Sequence, residues 1–319
     1  MNDAWYDFFV DSLYKRCSKK SQLVETLMDL LCLEREAVYR RLRKEVAFPF
    51  HEIVKLAATW NISLDEIIGI NVGAVSFMMK QINYFDPSED EFKELKKRID
   101  RLEHLKESEN SECMEVCNRL PRSLTTKFPI LFRFDNFRWA YQYGNTEEKT
   151  LFSHMIVSKR MYQKISTYQE NIRNVSCMNY IWDSMIFDYL VRDILYFHSI
   201  LLITDKEKTL LKQKILALID YLADVASKGY FPETKKKVNI YVSKIHIDTN
   251  YSYFYTDELK ICRVYAFDKY DLYSFDTGMV DNFRTWMRLK KRTSILISET
   301  DEKSRLDFFT KQRELVNRL

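Results

Sequence analysis

The sequence predicts a mainly α-helical chain that becomes α+β toward its C-terminus: five short helices, a helical linker, then helices followed by an antiparallel sheet. Three observations carry this. Apolar residues recur at helical spacing over most of the chain as far as Gly229. Only 5 prolines and 5 glycines punctuate 319 residues, so long regular elements go uninterrupted. Beyond Pro232 the apolar period changes from 3.6 to 2, the mark of strands with one buried face.

Taken in order, Trp5, Phe8, Phe9 and Leu13 form one face of a first helix, and Val24, Leu27, Met28 and Leu31 one face of a second that starts near Ser21. A short connection through Cys32 and Leu33 leads to a third helix, Glu34 to Lys44, with Val38 and Leu42 inward. Pro49 suits the first turn of a fourth helix, which buries Ile53, Leu56 and Ala57. Ser63-Leu64-Asp65-Glu66 is a capping box for a short fifth, ended by Gly69. These five make a domain over residues 1–70. Residues 71–123 form the linker: Phe92, Leu95, Ile99 and Leu102 lie at a/d positions, and two heptads fit a linker helix and a dimer seam equally. Residues 124–319 make an α+β domain. Its pattern is helical to Gly229, with Tyr180 to Ile203 as one buried helix, and then gives strands at Val238 to Val242, Tyr251 to Tyr255, Ile261 to Phe267 and Ser294 to Ser298. Helices around Val280 to Leu289 and from Asp301 are expected to cover one face of that sheet.

Composition excludes several classes. Five glycines leave almost nothing from which to build a phosphate loop, and neither GxxxxGK[S/T] nor GxGxxG occurs. The 5 histidines form no HExxH or HxxxH pair, so no metal site is expected. Cys113 and Cys117 would stand one helical turn apart with no second ligand pair at zinc-finger spacing, which points to a structural role. His246 and Asp248 would share a strand face without a GxSxG motif nearby, and the tyrosines at 251, 253 and 255 read as sheet packing. No catalytic residue and no cofactor is predicted, and the chain reads as a non-enzyme. The 6 scattered cysteines do not resemble a secreted disulfide scaffold. The acidic first residues do not resemble a signal peptide, and no apolar stretch exceeds about 13 residues, short of a membrane span. A cytoplasmic protein with no membrane partner is expected.

Charge singles out one segment. The net charge is only +4, yet Lys15 to Lys44 holds nine basic residues against four acids. With Val38 and Leu42 inward, the 100° step per residue places Glu36, Arg40 and Arg43 on the outer face of the third helix, with Arg35 and Tyr39 at its flanks. Arginine donates bidentately to guanine O6 and N7, so a helix with this face suits the major groove. Lys19 and Lys20, ahead of the second helix, suit the phosphate backbone. Short helices, a tight connection and a basic outer face together match the docking geometry of a helix-turn-helix.

Ser21 to Gly69, through Tyr39-Arg40-Arg41-Leu42-Arg43, then Phe50-His51-Glu52-Ile53-Val54-Lys55-Leu56-Ala57 and Asn61-Ile62-Ser63-Leu64-Asp65-Glu66-Ile67, resembles the helix-turn-helix domain of Cro/Xre-like regulators, in the BetR-like variant of bacterial transcription regulators. The resemblance covers about a fifth of the chain. It implies a recognition helix at Glu34 to Lys44, base reading by Arg35, Glu36, Tyr39 and Arg40, and backbone contacts from Arg43 and Lys44. Where that family usually has Ala in the second helix and Gly in the turn, this chain has Met28 and Cys32, so either the turn is wider or Cys32 takes up the strain. The expectation is a transcription regulator that binds double-stranded DNA as a homodimer, with a small-molecule or protein effector at its C-terminal domain. The rival reading is a protein-interaction or scaffold protein that binds no DNA, its basic face serving only solubility.

Overall fold

The computed structural model describes residues 4–14, 16–17, 20–60, 62, 64, 67, 75, 77–79, 87–106, 110–143, 150–266 and 270–319. The chain divides into two units, Met1–Ser76 and Phe77–Leu319. Twelve helices and a seven-stranded mixed sheet are present among the described residues.

Four helices build the first unit: α1 (Ala4–Tyr14), α2 (Lys20–Leu31), α3 (Arg35–Leu42) and α4 (Phe50–Trp60). Their apolar stripes meet in one core. Phe9, Val10 and Leu13 of α1 face Leu23, Val24 and Leu27 of α2, Val38 and Leu42 of α3, Phe48, and Leu56 and Ala57 of α4. The inward residues of α3 are those its spacing predicts. On α1 the stripe is rotated: Val10 is inward, while Trp5 and Phe8, expected inside, are exposed. Of the residues expected to form a fifth helix, Ser63, Asp65, Glu66 and Gly69 lie outside the described set.

The second unit begins with α5 (Pro87–Lys106), so the helix expected as a linker belongs to the C-terminal unit. Its seam is not offered to a second copy. Phe92 packs with Phe132, Met161 and Ile165, while Ile99 and Leu102 enter the main core. An a/d stripe records only that one face is buried; here this chain's own α8 (Lys159–Arg173) buries it.

The sheet corrects the expectation of a purely antiparallel meander. Its order is β6-β5-β4-β1-β2-β3-β7, with β1 (Glu112–Cys117), β2 (Cys177–Trp182) and β3 (Lys237–Ser243) parallel at the centre. Parallel neighbours need crossovers, and helices supply them. Between β1 and β2 run α6 (Arg122–Thr125), α7 (Pro129–Tyr143) and α8; between β2 and β3 run α9 (Asp188–Ser199) and α10 (Asp205–Lys228). An antiparallel run does lie beside β1: β4 (Tyr251–Tyr255) and β5 (Lys260–Ala266), both expected, and β6 (Tyr270–Ser274), which was not. At the other edge β7 (Ser294–Leu296) pairs antiparallel with β3.

Two expectations fail at β1 and β2. Cys113 and Cys117 lie on a strand, both buried and on the same face. Four residues of strand separate their Cα atoms by about 13 Å, against about 6 Å for a helical turn. The stretch from Tyr180 to Ile203 is not one helix: β2 ends at Trp182, and Asp183 turns the chain by accepting the N–H groups of Met185 and Ile247 at 2.9 and 3.0 Å.

The final helices part company as well. α11 (Thr277–Leu289) covers one face of the sheet, its Val280, Phe283 and Met287 packing on Met114, Val116, Ile181 and Tyr253. α12 (Glu302–Val316) joins α7 and α10 in the larger core on the other face, through Phe308 and Phe309. At the end of α10, Gly229 has φ +71°, the left-handed conformation glycine adopts without steric cost, and a Cβ there would have to displace the Glu299 side chain.

Candidate functional site

α2 and α3 are joined by three residues, Cys32 to Glu34, and the joint is made by one left-handed residue. Cys32 has φ +53°, and the Leu33 N–H reaches back to the Met28 carbonyl at 3.2 Å. This 6→1 bond closes a Schellman-type end, with Leu33 and Met28 both against the core. Cys32 thus stands in the conformation that glycine adopts without steric cost, at a price of about 1–2 kcal/mol for another residue. The far end of α3 repeats the device. Lys44 has φ +64°, its N–H bonds to the Arg41 carbonyl at 3.0 Å, and the Glu45 N–H bonds to the Arg40 carbonyl at 2.9 Å.

Two interactions fix how α3 sits. Arg41, largely buried, donates from Nε and Nη2 to the two carboxylate oxygens of Glu52 on α4, at 2.8 and 3.0 Å. Beside it the Phe48 N–H donates to the Tyr6 hydroxyl at 2.8 Å, and burial raises that tyrosine's pKa. Arg41 is therefore the one arginine of the run that serves the fold, held as a bidentate pair.

The remaining expected residues lie as follows. Arg35, Glu36, Arg40, Arg43 and Lys44 are exposed, Tyr39 is half-buried against the core, and Lys20 is exposed at the first turn of α2; Lys19 lies outside the described residues. Arg40 keeps 54% of its side chain accessible, and its contact with Glu45 is long at 3.7 Å. Arg43 donates to Glu36 at 2.7 Å and pairs with Glu45 at 2.8 Å; Lys44 pairs with Asp7 at 2.6 Å. The Glu36 hydrogen bond raises the Arg43 pKa, and that to Asp7 raises the Lys44 pKa, so both remain charged. Exposed pairs of this kind add little to stability and weaken with salt, so each cation is free to exchange its carboxylate for another anion. The countercharges Asp7 and Glu45 were not singled out by sequence, since nothing in their spacing marks them.

The second unit gathers charge in a different way. Arg98 and Arg101 of α5, Arg122 of α6, Arg263 of β5 and Asp271 of β6 line one cleft. Arg98 meets Asp271 at 2.6 Å; Arg122 meets Glu91 at 2.9 Å and Asp135 at 2.8 Å. Burial opposes the charge on Arg98 and Arg122, but Asp271 for the first and Asp135 with Glu91 for the second outweigh it and raise both pKa values. Deeper, Glu115 on β1 is buried and accepts from the Ser123 hydroxyl at 2.9 Å; burial raises its pKa despite the opposing charge of Arg263. None of these residues was expected from sequence, because they come together from six elements spread over residues 91–271.

His246 Nδ1 lies 3.1 Å from Asp183 in the loop after β3, not on a strand face with Asp248. Among the described residues no group of three or more His, Cys, Asp and Glu side chains is placed to hold a metal ion, and no helix is long and apolar enough to cross a membrane. Comparison with protein-family models, with curated proteins and with solved structures finds no match to this chain.

Proposed function

We propose that this protein binds double-stranded DNA through α3 and regulates transcription. The observation that carries the reading is the outer face of α3: Arg35, Glu36 and Arg40 accessible, with Tyr39 at the flank, on a helix that follows α2 after three residues and buries Val38 and Leu42. In this reading α3 lies in the major groove, Arg35 and Arg40 read base edges, and Lys20, Arg43 and Lys44 neutralise phosphates. On approach to the duplex, the carboxylates of Asp7 and Glu45 give up their cations to phosphate, an exchange made cheap by exposure. A single small module buries about 600–1,000 Å² on DNA, so two copies on adjacent half-sites are expected to act together.

Affinity for duplex DNA across a salt series tests the reading. Binding is expected to fall steeply as salt rises, and Arg40→Ala to weaken specific binding more than non-specific binding. A chain with no affinity for duplex at low salt is instead the protein-interaction module its basic face also permits.

A further inference from the structure

We infer that the cleft between α5 and the outer strands of the sheet is a binding site for a small organic acid that also carries an N–H or O–H donor, the chemistry of an amino acid or a hydroxy acid. This goes beyond DNA binding and stands whatever the first unit binds. The cleft is open at its mouth and has about 60 Å³ of internal space.

Its ion pairs do not close on themselves. Asp271, whose side chain is 5% accessible, gives one oxygen to Arg98 at 2.6 Å, while its other oxygen, Oδ1, is buried with no hydrogen-bond partner among the described residues. Arg263, 10% accessible, reaches the same carboxylate only at 3.6 Å, and its Nε–H is buried and unpartnered. Both residues line the cleft. Arg101 at the same wall stacks over Tyr273 and Phe275, each at 5.2 Å, with no carboxylate partner among the described residues. A buried donor and a buried acceptor side by side without protein partners are costly unless something meets them.

These two groups and Arg101 define the occupant. An anionic oxygen satisfies Arg263 Nε and draws Arg101; a donor on the same molecule satisfies Asp271 Oδ1; Leu95, Phe132 and Ile165 offer an apolar wall to its side chain. A simple monoanion without a donor meets only half of this set. Because α5 supplies Arg98 and Arg101 while the sheet supplies Arg263 and Asp271, a bound ligand ties the helix to the strands.

The test uses the full chain without DNA, so its outcome is independent of the function proposed above. Thermal unfolding and calorimetric titration are run with each of the common L-amino acids and with lactate and malate, acetate serving as the anion without a donor. At least one amino or hydroxy acid is expected to raise the midpoint saturably while acetate does not. Asp271→Asn is expected to weaken that binding by about tenfold or more, the scale of one hydrogen bond to a charged group. Asp271 also holds Arg98, so Arg101→Gln, which breaks no ion pair, is the second variant; it is expected to fold and to bind several-fold more weakly. The inference is overturned if no member of the panel shifts the midpoint, leaving solvent alone in the cleft, if acetate shifts it equally, or if Arg101→Gln binds as tightly as the wild type.

Discussion

Arg40 in the first unit and Arg98 in the second each lie beside a carboxylate, Glu45 at 3.7 Å and Asp271 at 2.6 Å. The first pair is half in water; the second is almost wholly out of it. Water makes the difference in what each can do. In high dielectric the attraction between Arg40 and Glu45 is small and screened, so the guanidinium is available to whatever anion arrives. Around Arg98 the charges are fixed by burial, and removing one leaves another stranded. The two units thus use the same residue type for opposite ends, a surface that exchanges partners and an interior that holds them in place.

The sharpest break of this contrast is Asp271→Ala. It strands Arg98 and Arg263 together and is expected to destabilise the second unit by about 3–5 kcal/mol in denaturant titration. Leu42→Ala tests whether the surface of the first unit depends on its core. Emptying this buried site is expected to cost about 2–5 kcal/mol, and the same titration, followed by helical signal at low denaturant, shows the loss. Arg40→Ala should leave stability alone and remove about 1–3 kcal/mol of duplex affinity, measured by fluorescence anisotropy at fixed salt. Glu115 sharpens the comparison through pH. Burial raises its pKa in the folded state, so stability is full below the unfolded carboxyl value and falls as pH rises through the folded one; Glu115→Gln should flatten that slope in unfolding midpoints taken across the acid range. The smallest effect belongs to Glu45→Gln, no measurable change in the unfolding midpoint, accompanied by tighter duplex binding at low salt as Arg40 and Arg43 lose a competitor.

What the sequence made legible follows from how burial writes itself into pattern. β3 and α3 each bury one face more deeply than the other, so Val238 and Ile240, or Val38 and Leu42, stand out at their period, whereas β4 and β5 are buried on both faces and show only as runs of aromatic and β-branched residues. β1 and β2 are covered on both faces, and Glu112–Cys117 and Cys177–Trp182 carry no alternation to detect. The seam of α5 was legible as a seam but not as to its partner, since Ile99 and Leu102 would bury equally well against another copy. At the candidate DNA-binding face, charge and spacing marked Arg35, Arg40 and Arg43 because they lie on one helix. The cleft stayed hidden because Arg98, Arg263 and Asp271 meet only after β5 and β6 have folded back beneath α5, and no local rule records that meeting.

The left-handed residues at either end of α3, Cys32 and Lys44, have a consequence for variation. They clamp an eight-residue helix at fixed length, so a single insertion would swing every outward side chain by 100° and scramble the face. Substitution at 35, 36 and 40, by contrast, touches neither Val38, Leu42 nor the Arg41–Glu52 pair. In the proposed DNA-binding reading the segment is an exchangeable cassette: descendants of this chain would acquire new targets by swapping a few letters, with the frame that presents them left intact.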